Sequence, residues 1–249
     1  MKKLSIFMVL VLALAVVSLP ALAGEMKVKV NENETEENPA EEFENMEEMD
    51  IDMSGFKGNG GPQVGLLQLD LTEMNEILTK EGFGELEADM ILFGGGGQGG
   101  LKKGPRFGGY GAEGKVTKSK GGQTATLTIN YGGFLYEHGI WANKKTDIAV
   151  GALMGGGEAK LDLLYNTPKN FDEAVETAQT TNLSKKFVSI NPQITIHQQI
   201  STIIGLDLSA GYLLTYDFGE TWKLGDISLD GPLSNFQAPN VNLRLTFGF

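Results

Sequence analysis

The last nine residues constrain this chain most. Val241, Leu243, Leu245, Phe247 and Phe249 alternate with Asn242, Arg244, Thr246 and Gly248. Successive side chains of an extended strand point to opposite faces, so this run has one apolar and one polar face, a period that no helix shares. The pattern recurs over 205–216, where Leu206, Leu208, Ala210, Tyr212, Leu214 and Tyr216 oppose Gly205, Asp207, Ser209, Gly211, Leu213 and Thr215. It recurs over 188–196, with Pro192 inside it predicting a bulge or an edge, and over 125–131. Four less regular strands are predicted at 62–70, 88–100, 104–116 and 147–165. In the last of these, Ile148, Val150, Ala152 and Met154 keep one phase and Ala159, Leu161, Leu163 and Tyr165 the other. The switch at Gly155–Gly157 predicts a bulge.

Composition agrees with strands. Glycine makes up 34 of 249 residues, too many for a helical bundle. The runs 94–100 and 108–111 are expected on neighbouring strands, where glycine permits coiling and close approach. A phosphate-cradling loop is not indicated, because no Gly-x-x-x-x-Gly-Lys-Ser/Thr occurs. Two short helices are expected in connections. The first, 71–80, places Leu71, Met74, Ile77 and Leu78 on one face, with Asp70 and Glu73 at capping-box spacing. The second is 171–179.

Connection lengths suggest how the strands assemble. Those after the first, fifth and seventh strands are long (71–87, 166–185 and 217–237), and the others are short. With antiparallel neighbours every long connection falls at one end. The expected fold is therefore all-β: an antiparallel up-and-down β-barrel of about eight strands, with one or two short helices in its loops.

The N-terminus reads differently. Lys2 and Lys3, an apolar run over 4–19, Pro20 and then Ala21-Leu22-Ala23 have the order of a secretory signal peptide over 1–23. The apolar run is shorter than the ~20 residues of a spanning helix. Residues 24–60 hold 12 acidic residues and 3 lysines and are expected to be a disordered acidic tail. The barrel domain is expected over 61–249. No cysteine is present and there are only two histidines, His138 and His197. That excludes disulfides, thiol catalysis and Cys-ligated metals. A net charge of −12 argues against a nucleic-acid partner, and no cofactor is indicated.

The terminal strand and signal peptide resemble those of bacterial outer-membrane β-barrel proteins. The resemblance implies that Leu243, Leu245, Phe247 and Phe249 form the signal read by the barrel-assembly machinery. It also implies that the apolar faces meet outer-membrane lipid and that Asp207, Ser209, Asn242, Arg244 and His197 face the lumen. Arg244 then needs a buried partner, with Asp207, Glu158 and Asp162 as candidates. Tyr131, Trp141, Tyr165, Tyr212, Tyr216, Trp222 and Phe249 would supply interfacial girdles. The expected role is structural, or that of a narrow passive pore or small-ligand binder. Two alternatives stand beside it. One is a soluble periplasmic barrel or sandwich binding an apolar ligand. The other is a lipid-acting barrel enzyme using His197 with Ser209. Alternation by itself does not say which face is outside.

Overall fold

The computed structural model describes residues 56–168, 170–219 and 221–248. The expected signal peptide over 1–23, most of the expected acidic tail and Phe249 lie outside the described residues. Eight antiparallel strands close into a barrel: β1 (Phe56–Gln68), β2 (Asp89–Leu101), β3 (Pro105–Lys120), β4 (Gln123–Ala142), β5 (Thr146–Leu164), β6 (Thr180–Gln199), β7 (Ile204–Tyr216) and β10 (Gln237–Gly248). Each pairs with its chain neighbour, and β10 returns to β1, with Val64 opposite Leu243 and Gln63 opposite Arg244. A small hairpin, β8 (Trp222–Leu224) and β9 (Ile227–Leu229), sits beside β6 where β7 has ended. Helices α1 (Thr72–Lys80) and α2 (Phe171–Thr177) lie in two of the long connections.

The ends sort as expected. Tight turns at 102–104, 143–145 and 200–203 share one end, and the connections 69–88, 165–179 and 217–236 share the other. The β3–β4 turn is Gly121-Gly122, both with positive φ (59° and 84°). That is the two-residue hairpin geometry whose twist matches the flanking strands.

Boundaries differ from the sequence expectation in informative ways. β1 begins at Phe56, ahead of the expected strand start at 62 and domain start at 61. The paired glycines of β1 and β2, such as Gly60 opposite Gly97 and Gly58 opposite Gly99, hide the alternation there. β4 and β6 run 20 residues each, far beyond 125–131 and 188–196. No bulge occurs at Gly155–Gly157: those residues stay in unbroken register with Gly133, Gly132 and Tyr131 on one side and with Ser189, Val188 and Phe187 on the other. The register shift in that ladder lies at Gly139–Trp141 instead. Nor does Pro192 shift register. Ile190 opposes Leu214 and Gln193 opposes Gly211, so the offset is the same on both sides of it.

What changes at the β5 glycines is the surroundings of the strand. Odd residues of β5 point inward along its whole length. Below the glycines Ile148, Val150, Ala152 and Met154 face out; above them Glu158, Lys160 and Asp162 face out while Ala159 and Leu161 are buried inside. β4 repeats this, with Phe134, Tyr136 and Ile140 outward below Gly132 and Thr124, Thr126, Thr128 and Asn130 outward above it. On β6, outward Val188, Ile190, Ile194 and Ile196 give way to Lys186, Ser184 and Asn182. The outer face of each of these 19- or 20-residue strands is thus apolar over one half and polar over the other.

The half at the long-connection end is filled by an apolar core. Met74 and Leu78 of α1 pack inside it with Leu67, Met90, Leu127 and Ile129, each worth about 1.5–3 kcal/mol on burial. Asn75 pins the connection by donating to the Leu86 carbonyl (3.0 Å) and accepting from the Leu86 amide (2.8 Å). The expected Asp70–Glu73 capping box does not form. Leu71 occupies the N-cap position, and Asp70 accepts from the Thr72 amide (3.1 Å) and hydroxyl (2.7 Å). Those bonds, the hydroxyl's first, hold its carboxyl below the usual range. In α2, Asn170 caps by accepting from the Glu173 amide at 2.8 Å.

Candidate functional site

The half at the tight-turn end is apolar outside and ionic inside. Asp147, His197, Asp207 and Arg244 stand directly opposite one another on β5, β6, β7 and β10, so one register row carries all four inward. Arg244 donates to Asp207 Oδ2 through Nε (3.2 Å) and Nη2 (2.8 Å). The other oxygen, Oδ1, lies 2.8 Å from His197 Nδ1. His197 Nε2 is 3.3 Å from Glu137 Oε2. Each ring nitrogen therefore faces a carboxylate, and only the imidazolium donates to both. Glu137 Oε1 accepts from Thr195 Oγ1 (2.6 Å) and Gln193 Nε2 (3.0 Å).

A second set lies toward the tight turns. Asp147 holds Arg106 Nη2 at 2.7 Å and Lys57 Nζ at 2.9 Å. Arg106 also donates to the carbonyls of Leu101 (2.8 Å) and Lys102 (2.6 Å), which ties the β2–β3 turn to the interior. Three carboxylates thus meet Lys57, Arg106 and Arg244 with His197 among them. An amide ladder continues along the wall. Asn242 donates to Asn240, Asn240 to Asn191 and Asn191 to the Tyr110 hydroxyl, which donates to Gln193. A cavity of about 10 Å³ lies among Gln63, Tyr110, Gln193, Thr195, Asp207, Ser209 and Arg244, about the size of one water. Exposure decides what this interior can do: Glu137 and Asn191 are at 0% and His197 and Arg106 at 1%.

The structure brings together three residues named from sequence, His197, Asp207 and Arg244. Asn242 and Ser209 face inward beside them and bond to each other at 3.4 Å. Ser209 therefore partners Asn242 and not His197. Asp207 is Arg244's partner; Glu158 and Asp162 face outward, and Glu158 pairs with Lys160. Leu243, Leu245 and Phe247 project outward. Among the girdle candidates, Trp141 and Tyr216 are exposed at strand ends, whereas Tyr131 and Trp222 are buried in the core and Tyr165 packs edge-on against Phe83. They are inside because the upper half of the barrel needs large apolar filling. Sequence reasoning missed Glu137, Arg106, Asp147 and Lys57. Glu137 shares the odd-numbered face of 125–131, which alternation marks as apolar and the barrel expectation turns toward lipid; the structure turns that face inward along β4.

Fold and interior together define a closed, filled, up-and-down barrel of eight strands, apolar on the outside over one half. No family model matches the chain, and no curated protein does. Among solved structures it is similar to Ail, the attachment invasion locus protein of Yersinia pestis, in complex with the heparin analogue sucrose octasulfate (11% identity, 78% of this chain and 97% of that one, TM-score 0.44). It is similar also to Neisserial surface protein A (11% identity, 78% and 97%, TM-score 0.42). A weaker likeness is to the outer membrane protease OmpT of Escherichia coli (8% identity, 78% and 94%, TM-score 0.25).

Proposed function

We propose that this chain is an outer-membrane β-barrel protein of structural, non-conducting character. On this reading it crosses the bilayer with its tight-turn half and carries a water-exposed half above it. The observation behind this is the belt on the outer face. Val64, Leu66, Ile91, Phe93, Phe134, Ile190, Ile196, Leu208, Leu243 and Leu245 are all exposed around the closed wall while charge is buried behind them. In water that arrangement is inverted; in lipid it satisfies both sides. The sealed interior argues against a passive pore, because a water-filled channel leaves its lining exposed. It argues equally against hydrolysis, since both nitrogens of His197 face carboxylates and Ser209 is turned to Asn242. A soluble barrel holding an apolar ligand fits only the upper half, and there α1 fills the interior. The exposed Leu243, Leu245 and Phe247 are where the assembly machinery would read the last strand.

The test is reconstitution. Refolded protein should resist alkaline extraction from lipid vesicles and give no stepwise conductance in planar bilayers. Release into the soluble fraction would overturn the membrane reading, and steady conductance would overturn the non-conducting one.

A further inference from the structure

The tight-turn end carries a basic rim. Its turns contribute Lys102, Lys103, Lys144 and Lys145, and residues 102–104, 143–145 and 200–203 contain no acidic residue. The long connections at the other end hold thirteen acidic residues against three lysines. The barrel is therefore polarised along its axis.

The rim is built and not a scatter of surface charge. Asn143 Oδ1 accepts from the amides of Lys145 (2.8 Å) and Thr146 (2.7 Å), fixing one turn. Arg106 fixes the other from inside, and Gly104 and Gly139 exchange backbone hydrogen bonds (2.9 and 3.2 Å) that join this turn to β4, the strand leading into 143–145. The register shift after Gly139 leaves Ile140 and Trp141, consecutive in sequence, both exposed next to Lys144 and Lys145. Leu101 is likewise exposed beside Lys102. Lysines at the edge of an apolar belt with a tryptophan among them match the boundary between acyl chains and headgroups.

We propose that this rim binds the anionic phospholipid headgroups of the leaflet at the tight-turn end, with Lys144 and Lys145 beside Trp141 as its main contact and Lys102 and Lys103 as its second. The proposal rests on the membrane reading above. Charge complementarity selects an anionic headgroup, and continuity with the apolar belt selects a lipid over a soluble anion.

Quenching of Trp141 by brominated lipid tests it. The chain has two tryptophans, so Trp222→Phe isolates Trp141. The wild type should give the same difference between lipids, because Trp222 is buried. In mixed vesicles brominated phosphatidylglycerol should displace phosphatidylcholine from Trp141 with about threefold or greater preference at low salt. The preference should fall toward one in 1 M salt, where screening acts over ~3 Å. It should fall likewise in K144Q/K145Q and vanish in the fourfold Lys→Gln variant, each checked for folding by its heat-shifted gel mobility. Equal quenching by the two lipids in the wild type, or a preference surviving in the fourfold variant, overturns the proposal. Equal quenching with lysine-dependent binding of dextran sulfate assigns the rim to a soluble polyanion and also overturns it. Absence of quenching by either lipid is a different failure, that of the membrane reading itself.

Discussion

Asp207→Asn should be among the most damaging single changes in the barrel. Asp207 gives one carboxylate oxygen to Arg244, through two donors at 2.8 and 3.2 Å, and the other to His197 at 2.8 Å. Its side chain and those of both partners are nearly inaccessible. Removing one member of a buried ion pair strands the other charge, at about 3–5 kcal/mol. Here the lost carboxylate strands Arg244, because Asp147 is held by Lys57 and Arg106 and Glu137 faces His197. The partner change, Arg244→Gln, should be costly for the mirror-image reason. Combining the two removes the stranded charge, so the double variant should lose less than the sum of the singles, by about 1–3 kcal/mol. Urea unfolding in vesicles, followed by tryptophan fluorescence and by gel mobility of the folded form, measures all four corners of the cycle. Additivity within about 0.5 kcal/mol would refute the claim that Asp207 and Arg244 act as one unit.

Other outcomes follow from the same geometry. Lys160→Gln breaks a pair with Glu158 whose lysine is half exposed, and should change stability by less than about 1 kcal/mol in the same assay. Met74→Ala should cost about 2–5 kcal/mol and raise protease sensitivity of 69–88 while leaving vesicle insertion intact, since α1 packs only in the upper core. Loss of insertion would refute the division of the barrel into two halves. The Lys185 ammonium, 2.8 Å from Asp217, holds that carboxyl below the usual range. The stabilisation is therefore present above the unfolded value of ~3.9 and is lost as pH falls through the lower folded value. Denaturation midpoints of wild type and Asp217→Asn should differ at pH 7 and converge in strong acid; a constant difference would contradict the assignment.

Much of this fold was legible in the chain. The last strand and β7 follow from alternation, and the inward row of His197, Asp207 and Arg244 from alternation together with the resemblance to outer-membrane barrels, which sets the polar face inside. Alternation failed where the surroundings change partway along a strand. β5 reads as a phase switch at Gly155–Gly157, and a bulge was the local explanation; the strand is unbroken, and what switches is its outer face, from apolar residues to charged ones. The same effect put Tyr131 and Trp222 in a core and not a girdle. Arg106 and Asp147 were illegible for another reason. Arg106 sits at a strand end among glycines, where too few residues alternate to fix a face; Asp147 lies in phase with the Ile148–Met154 alternation, but its partners, Arg106 and Lys57, come from β3 and β1, which no local pattern announces. Capping at α1 was misassigned because Asp70 satisfies Thr72 at its own doorstep and never reaches Glu73.

The central claim is that the outer wall passes from lipid to water at the glycine rows. Nitroxide labels on outward positions of β4 test it most directly, and the absence of native cysteine leaves no background labelling. Single cysteines at Thr126, Thr128, Phe134, Tyr136 and Ile140, reconstituted in vesicles, should divide sharply. Labels at 134, 136 and 140 should be relaxed by oxygen and shielded from a nickel chelate, and labels at 126 and 128 should show the reverse. The step should fall at Gly132. If all five labels meet the nickel chelate, the barrel does not cross a bilayer. If all five are lipid-exposed, the water-facing half does not exist.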